Sequence, residues 1–183
     1  MVLHASRDNL VLLPQALIPF QVDEDRARVA VHEWWEKGWA RPPSLPKHAA
    51  IVRLQGVYIP FWTFDNLYRV QWSDTNGDVL GFHQPTPHEH LELYNDVLIC
   101  GSYTIPTQIV RELEPFDTKK LILYQPQYLA GWPAEVSQLS LADASLQARE
   151  RMVHETEARF PTGAKISEVS PEFMTYKHIL LPI

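Results

Sequence analysis

The chain has a single cysteine, Cys100, so it can form neither an internal disulfide nor a cysteine-rich zinc site. Cys100 sits in the apolar run Val97-Leu98-Ile99-Cys100, the setting of a small core residue rather than of a reactive thiol. The lack of disulfides fits a cytoplasmic location. Cations are scarce as well: 16 Lys and Arg stand against 22 Asp and Glu, a net charge of −6. From Phe61 to Ala130 nine acids face four bases, and Lys119-Lys120 is the one adjacent basic pair. A phosphate-binding surface needs clustered Lys and Arg, so nucleic acid is disfavoured as a partner. No apolar run reaches the roughly 18 residues of a membrane span. Met1 to Ile18 is broken by His4, Arg7, Asp8 and Pro14 and does not read as a signal peptide. Glycine is rare, seven residues against fifteen prolines, which implies fixed turns and strand ends rather than flexible linkers. Catalytic signatures are missing too. There is no Gly-x-Ser-x-Gly, no Cys/His pair at meaningful spacing, no dinucleotide fingerprint and no Gly-x-x-x-x-Gly-Lys-Ser/Thr phosphate loop. These gaps point away from the common enzyme classes, and no cofactor is implied.

What is present is an apolar, aromatic chain with 45% hydrophobic residues, enough for one domain with a core. Gly56-Val57-Tyr58-Ile59-Pro60-Phe61-Trp62-Thr63-Phe64-Asp65 packs four aromatics and two β-branched aliphatics into ten residues. It is too apolar to leave in water and too short to span a bilayer, so it belongs in a core or an interface. Ahead of it, proline-stopped extended segments at Leu10–Pro14 and Ala16–Phe20 lead into a helix. Asp23 or Asp25 caps that helix, Lys37-Gly38 ends it, and Ala27, Val31, Trp34 and Trp35 share one face. Strands are expected at Ile51–Leu54, Leu67–Trp72, Val79–Phe82, Leu91–Cys100, Leu121–Tyr124 and Val136–Leu139. Asn76-Gly77 turns a hairpin between the second and third of these, and His83–His90 reads as a polar loop. Pro106 opens a short helix ending near Leu113. A long helix runs from Leu141 to Arg159 with Leu146, Met152, Val153 and Phe160 on its buried side, and two last strands follow at Ile166–Ser170 and Phe173–Leu181.

This order is α+β: a mostly antiparallel, twisted sheet with the two longer helices packed on it, in one domain over residues 1–183. Ile59-Pro60-Phe61 is echoed by Leu181-Pro182-Ile183, each after a helix, which raises two related halves. The apolar run Ile179–Ile183 is expected to continue into a longer protein.

Four stretches together carry a family resemblance. They are Ile18-Pro19-Phe20, the Gly56–Asp65 decapeptide, Tyr124-Gln125-Pro126-Gln127-Tyr128-Leu129-Ala130-Gly131-Trp132-Pro133-Ala134-Glu135, and Tyr176-Lys177-His178-Ile179-Leu180-Leu181-Pro182-Ile183. They resemble a family of uncharacterised bacterial and archaeal proteins that often carry an N-terminal zinc ribbon and a label relating them to the primosomal helicase PriA. The resemblance implies that this chain corresponds to the domain after the ribbon. The ribbon needs two Cys-x-x-Cys pairs, which a chain with one cysteine does not have. The helicase label does not transfer, because the phosphate loop is missing and 183 residues cannot hold two motor domains.

Three groups of residues are candidates for function. Trp34, Trp35, Tyr58, Trp62, Tyr128 and Trp132 offer aromatic surface for a ligand or an interface, and adjacent Trp34 and Trp35 cannot both face inward. Asp65 closes the aromatic run, either as a general acid or base in an aromatic cleft or as a turn acid bonding backbone N–H groups. His83, His88 and His90, with Glu89 and Glu92 nearby, have the donor types for a divalent metal. The reading that results is a non-catalytic interaction module of a larger bacterial protein, engaging a protein partner or a second copy. The alternatives are a small-molecule or carbohydrate binder or hydrolase around Asp65, and a metal site at the histidines. A deep pocket lined by Trp62 and Asp65 would favour a ligand; a flat apolar patch would favour a protein.

Overall fold

The computed structural model describes residues 12–37, 53–74, 86–160 and 164–183. Its elements are β1 (Ala16–Leu17), α1 (Glu24–Lys37), β2 (Tyr58–Asp74), β3 (Thr86–Cys100), α2 (Thr107–Leu113), β4 (Ile122–Leu123), α3 (Leu141–Arg159) and β5 (Ala164–Pro182). The fold is α+β. One five-stranded sheet has the order β3-β2-β5-β1-β4, antiparallel throughout except where β1 runs parallel to β5.

The aromatic decapeptide forms the first half of β2, the strand between β3 and β5. A chain buried on both faces there needs apolar side chains at successive positions, and this is the stretch that supplies them. Pro60, which has no donor for a ladder, falls one residue before pairing with β3 begins at Phe61 opposite Cys100. The echoed motifs lie side by side, with Ile59 opposite Leu181 and Val57 exchanging backbone hydrogen bonds with Ile183 at 2.8 and 2.9 Å.

Several expected elements differ. Leu67–Trp72 pairs with 88–93 of β3, so residues 86–90 are strand rather than loop. Val79–Phe82 and the Asn76-Gly77 turn lie outside the described residues, as do Leu10, Val11 and residues 51–52 of the expected Ile51–Leu54 strand, whose described residues 53–54 are not strand. The two final strands are one: β5 runs through Pro171 by skipping a partner for Glu172, a bulge that absorbs the missing donor. Val136–Leu139 is not a strand; Ala134 makes a lone parallel bridge to Tyr58 instead.

Helix α3 begins and ends where the periodicity puts it, and the Ser140 side chain caps it by accepting from Asp143 N. Its buried face is the expected one in part: Met152 is fully buried, and Val153 and Phe160 are half-buried. Ala144, Ala148, Met152 and Thr156 face the sheet, while Leu146 is 62% exposed. Two small residues one turn apart let the helix approach β3 and β2 closely. Leu146 sits about 200° around the helix from Ala144 and turns away. Of the two longer helices α3 is the one that lies on the sheet. Helix α1, capped by Asp23 accepting from Arg26 N at 2.8 Å, makes no broad contact with a strand among the described residues. Short α2 contributes Val110 to the opposite side of the sheet.

Candidate functional site

Strand alternation sorts the candidates onto two faces of β2. Trp62, Phe64 and Tyr68 face α3, packed with Tyr94, Val97 and Met152. Ile59 and Phe61 face the other way, under Val110, Ile105, Phe116 and Leu121.

Of the expected aromatic surface Tyr58 and Trp62 are interior, Trp35 and Trp132 half-buried, and Trp34 and Tyr128 exposed. Trp62 is 3% exposed, donates Nε1–H to Leu139 O at 3.1 Å, and has the His178 ring 4.8 Å away. Tyr58 is 1% exposed and belongs to a third cluster with Leu17 and Leu180. In that cluster Phe20 stacks on Trp132 at 4.1 Å and meets Tyr58 edge-on at 4.9 Å. Gly56 lies directly beneath: a Cβ there would stand 2.6 Å from the Phe20 ring and 2.8 Å from that of Trp132. The Tyr128–Trp132 segment is thus a turn folded back on the sheet, with Gly131 at φ 86° and Tyr128 at its rim. Trp34 is 48% exposed and contacts half-buried Trp35 edge-on at 6.2 Å, at the end of α1.

Asp65 faces away from Trp62, because residues three apart on a strand point to opposite sides; no cleft has both as walls. Its carboxylate is built into a bulge. Asn95 and Asp96 of β3 stand opposite Asp65 alone, and Asp96 takes a positive φ of 53°. Asp65 Oδ1 accepts from Asp96 N at 2.9 Å, Oδ2 accepts from Thr175 Oγ1 at 3.3 Å, and Lys177 Nζ stands 3.9 Å off. The Asp96 carboxylate in turn accepts from Thr63 and Thr118. This is the backbone-bonding role, with a donor from the neighbouring strand.

His88 and His90 are on the α3 side of β3, and each is engaged. His88 stacks on Trp72 at 4.4 Å; His90 Nε2 lies 3.1 Å from Glu92, which also pairs with Arg159. His83 lies outside the described residues. Among those described, no group of three His, Cys, Asp or Glu is placed to hold a metal ion.

Two features were not legible in the sequence. The first is a cleft of about 1020 Å³ between α2 and α3, with Ile105, Val110, Leu146 and Val153 on its walls and Cys100 and Ser102 at one end. Burial pushes the Cys100 thiol above its ordinary pKa, which favours its protonated form. Ser102 and Thr104 both donate to the Glu135 carboxylate, a clasp joining the loop after β3 to the segment before α3. The second is a flat apolar patch. On the face that α2 covers at one end, no element among the described residues covers the other end of the three long strands. Leu93, Leu67 and Phe173 stand in one row across β3, β2 and β5, and Leu91 is beside them. Leu93 is 61% exposed, Phe173 59% and Leu91 50%. Arg69 borders the row, bonded to Glu89 and Glu172 at 2.5 Å each, and holds the Glu172 carboxyl below its usual range. No periodicity signal shows this patch, because the row is assembled from residues distant in the chain.

No family model matches the chain, and no solved structure matches it. It is 25% identical over 191 residues to the uncharacterised protein YdjG of Bacillus subtilis (strain 168), across 94% of this chain and 56% of that protein. The chain therefore spans little more than half the length of that relative. Among the described residues no helix is long and apolar enough to cross a membrane.

Proposed function

We propose that this chain is a non-catalytic protein-interaction module of a larger bacterial protein, acting in the cytoplasm, and that it docks through the open end of the sheet. The observation that carries this reading is the Leu93–Leu67–Phe173 row. Three large apolar side chains in register on adjacent strands, two of them about 60% exposed, are an arrangement that folded chains ordinarily bury. The docking face differs from the aromatic surface that the sequence favours, because Tyr58 and Trp62 are used up in the core. Support for a module comes from the resemblance to ribbon-bearing proteins and from the YdjG alignment, which leaves much of that relative unmatched. The engaged Asp65 carboxylate and the protonated Cys100 thiol support a non-catalytic role.

The test is a photo-crosslinking residue placed at Leu93 in cells, with one at Leu123, which is 79% exposed on β4, as the control for general stickiness. The expected result is a discrete adduct from position 93 that Phe173→Glu abolishes, and none from position 123. Equal labelling at both positions, or none at either, removes the reading.

A further inference from the structure

We infer that the outer edge of β3 joins two copies of this chain: they pair antiparallel through residues 88–94, with Leu91 of each on the two-fold axis, into one continuous sheet. The inference goes beyond the docking face and rests on other atoms, the backbone groups along the sheet's edge. β3 is a terminal strand, hydrogen-bonded to β2 alone. Val57 and Ile183 exchange both backbone hydrogen bonds, so odd-numbered residues of β2 turn their backbone groups to β5 and even-numbered ones to β3. Asn66, Tyr68 and Val70 therefore bond Tyr94, Glu92 and His90, which stand opposite them. The N–H and C=O groups of Glu89, Leu91 and Leu93 point the other way, and no described residue bonds them. All three side chains are exposed. Donors and acceptors alternating along an edge are matched by another extended chain, not by a helix or an apolar surface.

A second copy is the strand that fits. Pro87, which has no N–H, and the bulge at Asn95 and Asp96 bracket the run, and Leu91 is its midpoint. Antiparallel pairing about that midpoint uses the whole run. It sets Leu91 opposite Leu91 and Glu89 opposite Leu93 of the second copy, each pair exchanging two backbone hydrogen bonds. On the α3 side it sets His90 opposite Glu92 of the second copy, imidazole against carboxylate, on both sides of the axis. Within one chain His90 Nε2 already lies 3.1 Å from Glu92, so the two groups and their copies alternate around a square. A slip of two residues either way puts Glu92 against Glu92 or His90 against His90, like against like. A slip of one residue mismatches the backbone groups. Helix α3 does not obstruct the pairing. Its contacts with β3 fall on one side of Leu91, from Arg159 on Glu92 to Ala144 in the cluster with Val97 and Ile99. A two-fold at Leu91 sets the two α3 helices end to end, not one upon the other.

The experiment is sedimentation velocity of the purified chain over a range of concentrations, joined to a cysteine scan in a Cys100→Ser background. Hydrogen-bonded antiparallel pairs stand ~5.5 Å apart at Cα, within reach of a disulfide, so Leu91→Cys meets its own copy on the axis. Position 93 stands opposite position 89, which leaves the two copies of Leu93→Cys about 13 Å apart and out of reach. The expected result is a concentration-dependent dimer that mild oxidation locks through Leu91→Cys and not through Leu93→Cys. Leu91→Lys, at an exposed position, sets two like charges on the axis. It weakens the dimer by about tenfold or more and leaves the circular dichroism spectrum unchanged. A monomer at every concentration overturns the inference and leaves the docking face untouched. Crosslinking through Leu93→Cys that equals or exceeds that through Leu91→Cys overturns the two-fold at Leu91. A dimer that survives Leu91→Lys and is lost in Phe173→Glu makes the face the contact between copies; the edge is then wrong and the interaction reading stands.

Discussion

At the scale of single residues, Asp65 and His178 separate what the chain announces from what only the fold reveals. An acid after an aromatic run reads as an acceptor for backbone N–H groups, and Asp65 is one. Its donor, Asp96 N, was not legible, because a bulge pairs residues 31 apart in the chain. Asp65→Ala leaves that N–H without its acceptor and frees the left-handed turn at Asp96. The expected loss is about 1–2 kcal/mol in urea unfolding, and a loss near zero would mean that the bulge holds without it. His178 is no candidate in the sequence, where it stands only inside the Tyr176–Ile183 stretch. It is 4% exposed beside Trp62, and burial pushes its pKa below the ordinary 6.5, with the backbone of Leu12 and Leu13 opposing part of the shift. The folded imidazole therefore resists a proton that the unfolded chain accepts near pH 6.5. Its contribution to stability is intact above that value and falls as the pH drops below it. Denaturant midpoints measured from pH 8 to pH 5 should fall more steeply in the wild type than in His178→Phe; parallel profiles would show that His178 titrates alike in both states.

At the scale of elements, ends were more legible than faces. Pro106 marks a start through local chemistry, and α2 begins beside it; α3 begins at Leu141, where the periodicity puts it. On α3 Met152 is buried as its position predicts, but Leu146 is not, because close packing on a sheet favours Ala144 and Ala148 over a larger side chain. Pro171 was read as a strand break because proline lacks a donor, and a one-residue bulge lets β5 carry it through. The turn from Tyr128 to Trp132 depends on a different element, the approach to β2, where Gly56 keeps the space under Phe20 and Trp132 clear. Gly56→Ala forces both rings aside, with an expected cost of about 1–3 kcal/mol and a changed near-ultraviolet circular dichroism signal. An unchanged aromatic spectrum would mean that the stack tolerates the methyl group.

At the scale of the whole molecule, the α+β class and the antiparallel bias follow from the order of the elements, but the strand order does not. Nothing local says that β5 lies between β2 and β1, or that among the described residues one sheet face is covered at one end and not at the other. Those follow from pairings across most of the chain, and with them goes the docking patch, which has no counterpart in any single segment. The placement of β5 beside β2 also bears on how the protein is made. The most apolar strand leaves the ribosome roughly a hundred residues before the strand that shields its second edge. At a synthesis rate of ~5–20 residues per second, β2 waits about 5–20 s with only β3 to hold. During that interval the nascent chain shows water a long, aromatic, one-sided ribbon, and it is then, rather than after completion, that the cell's chaperones have the most to guard.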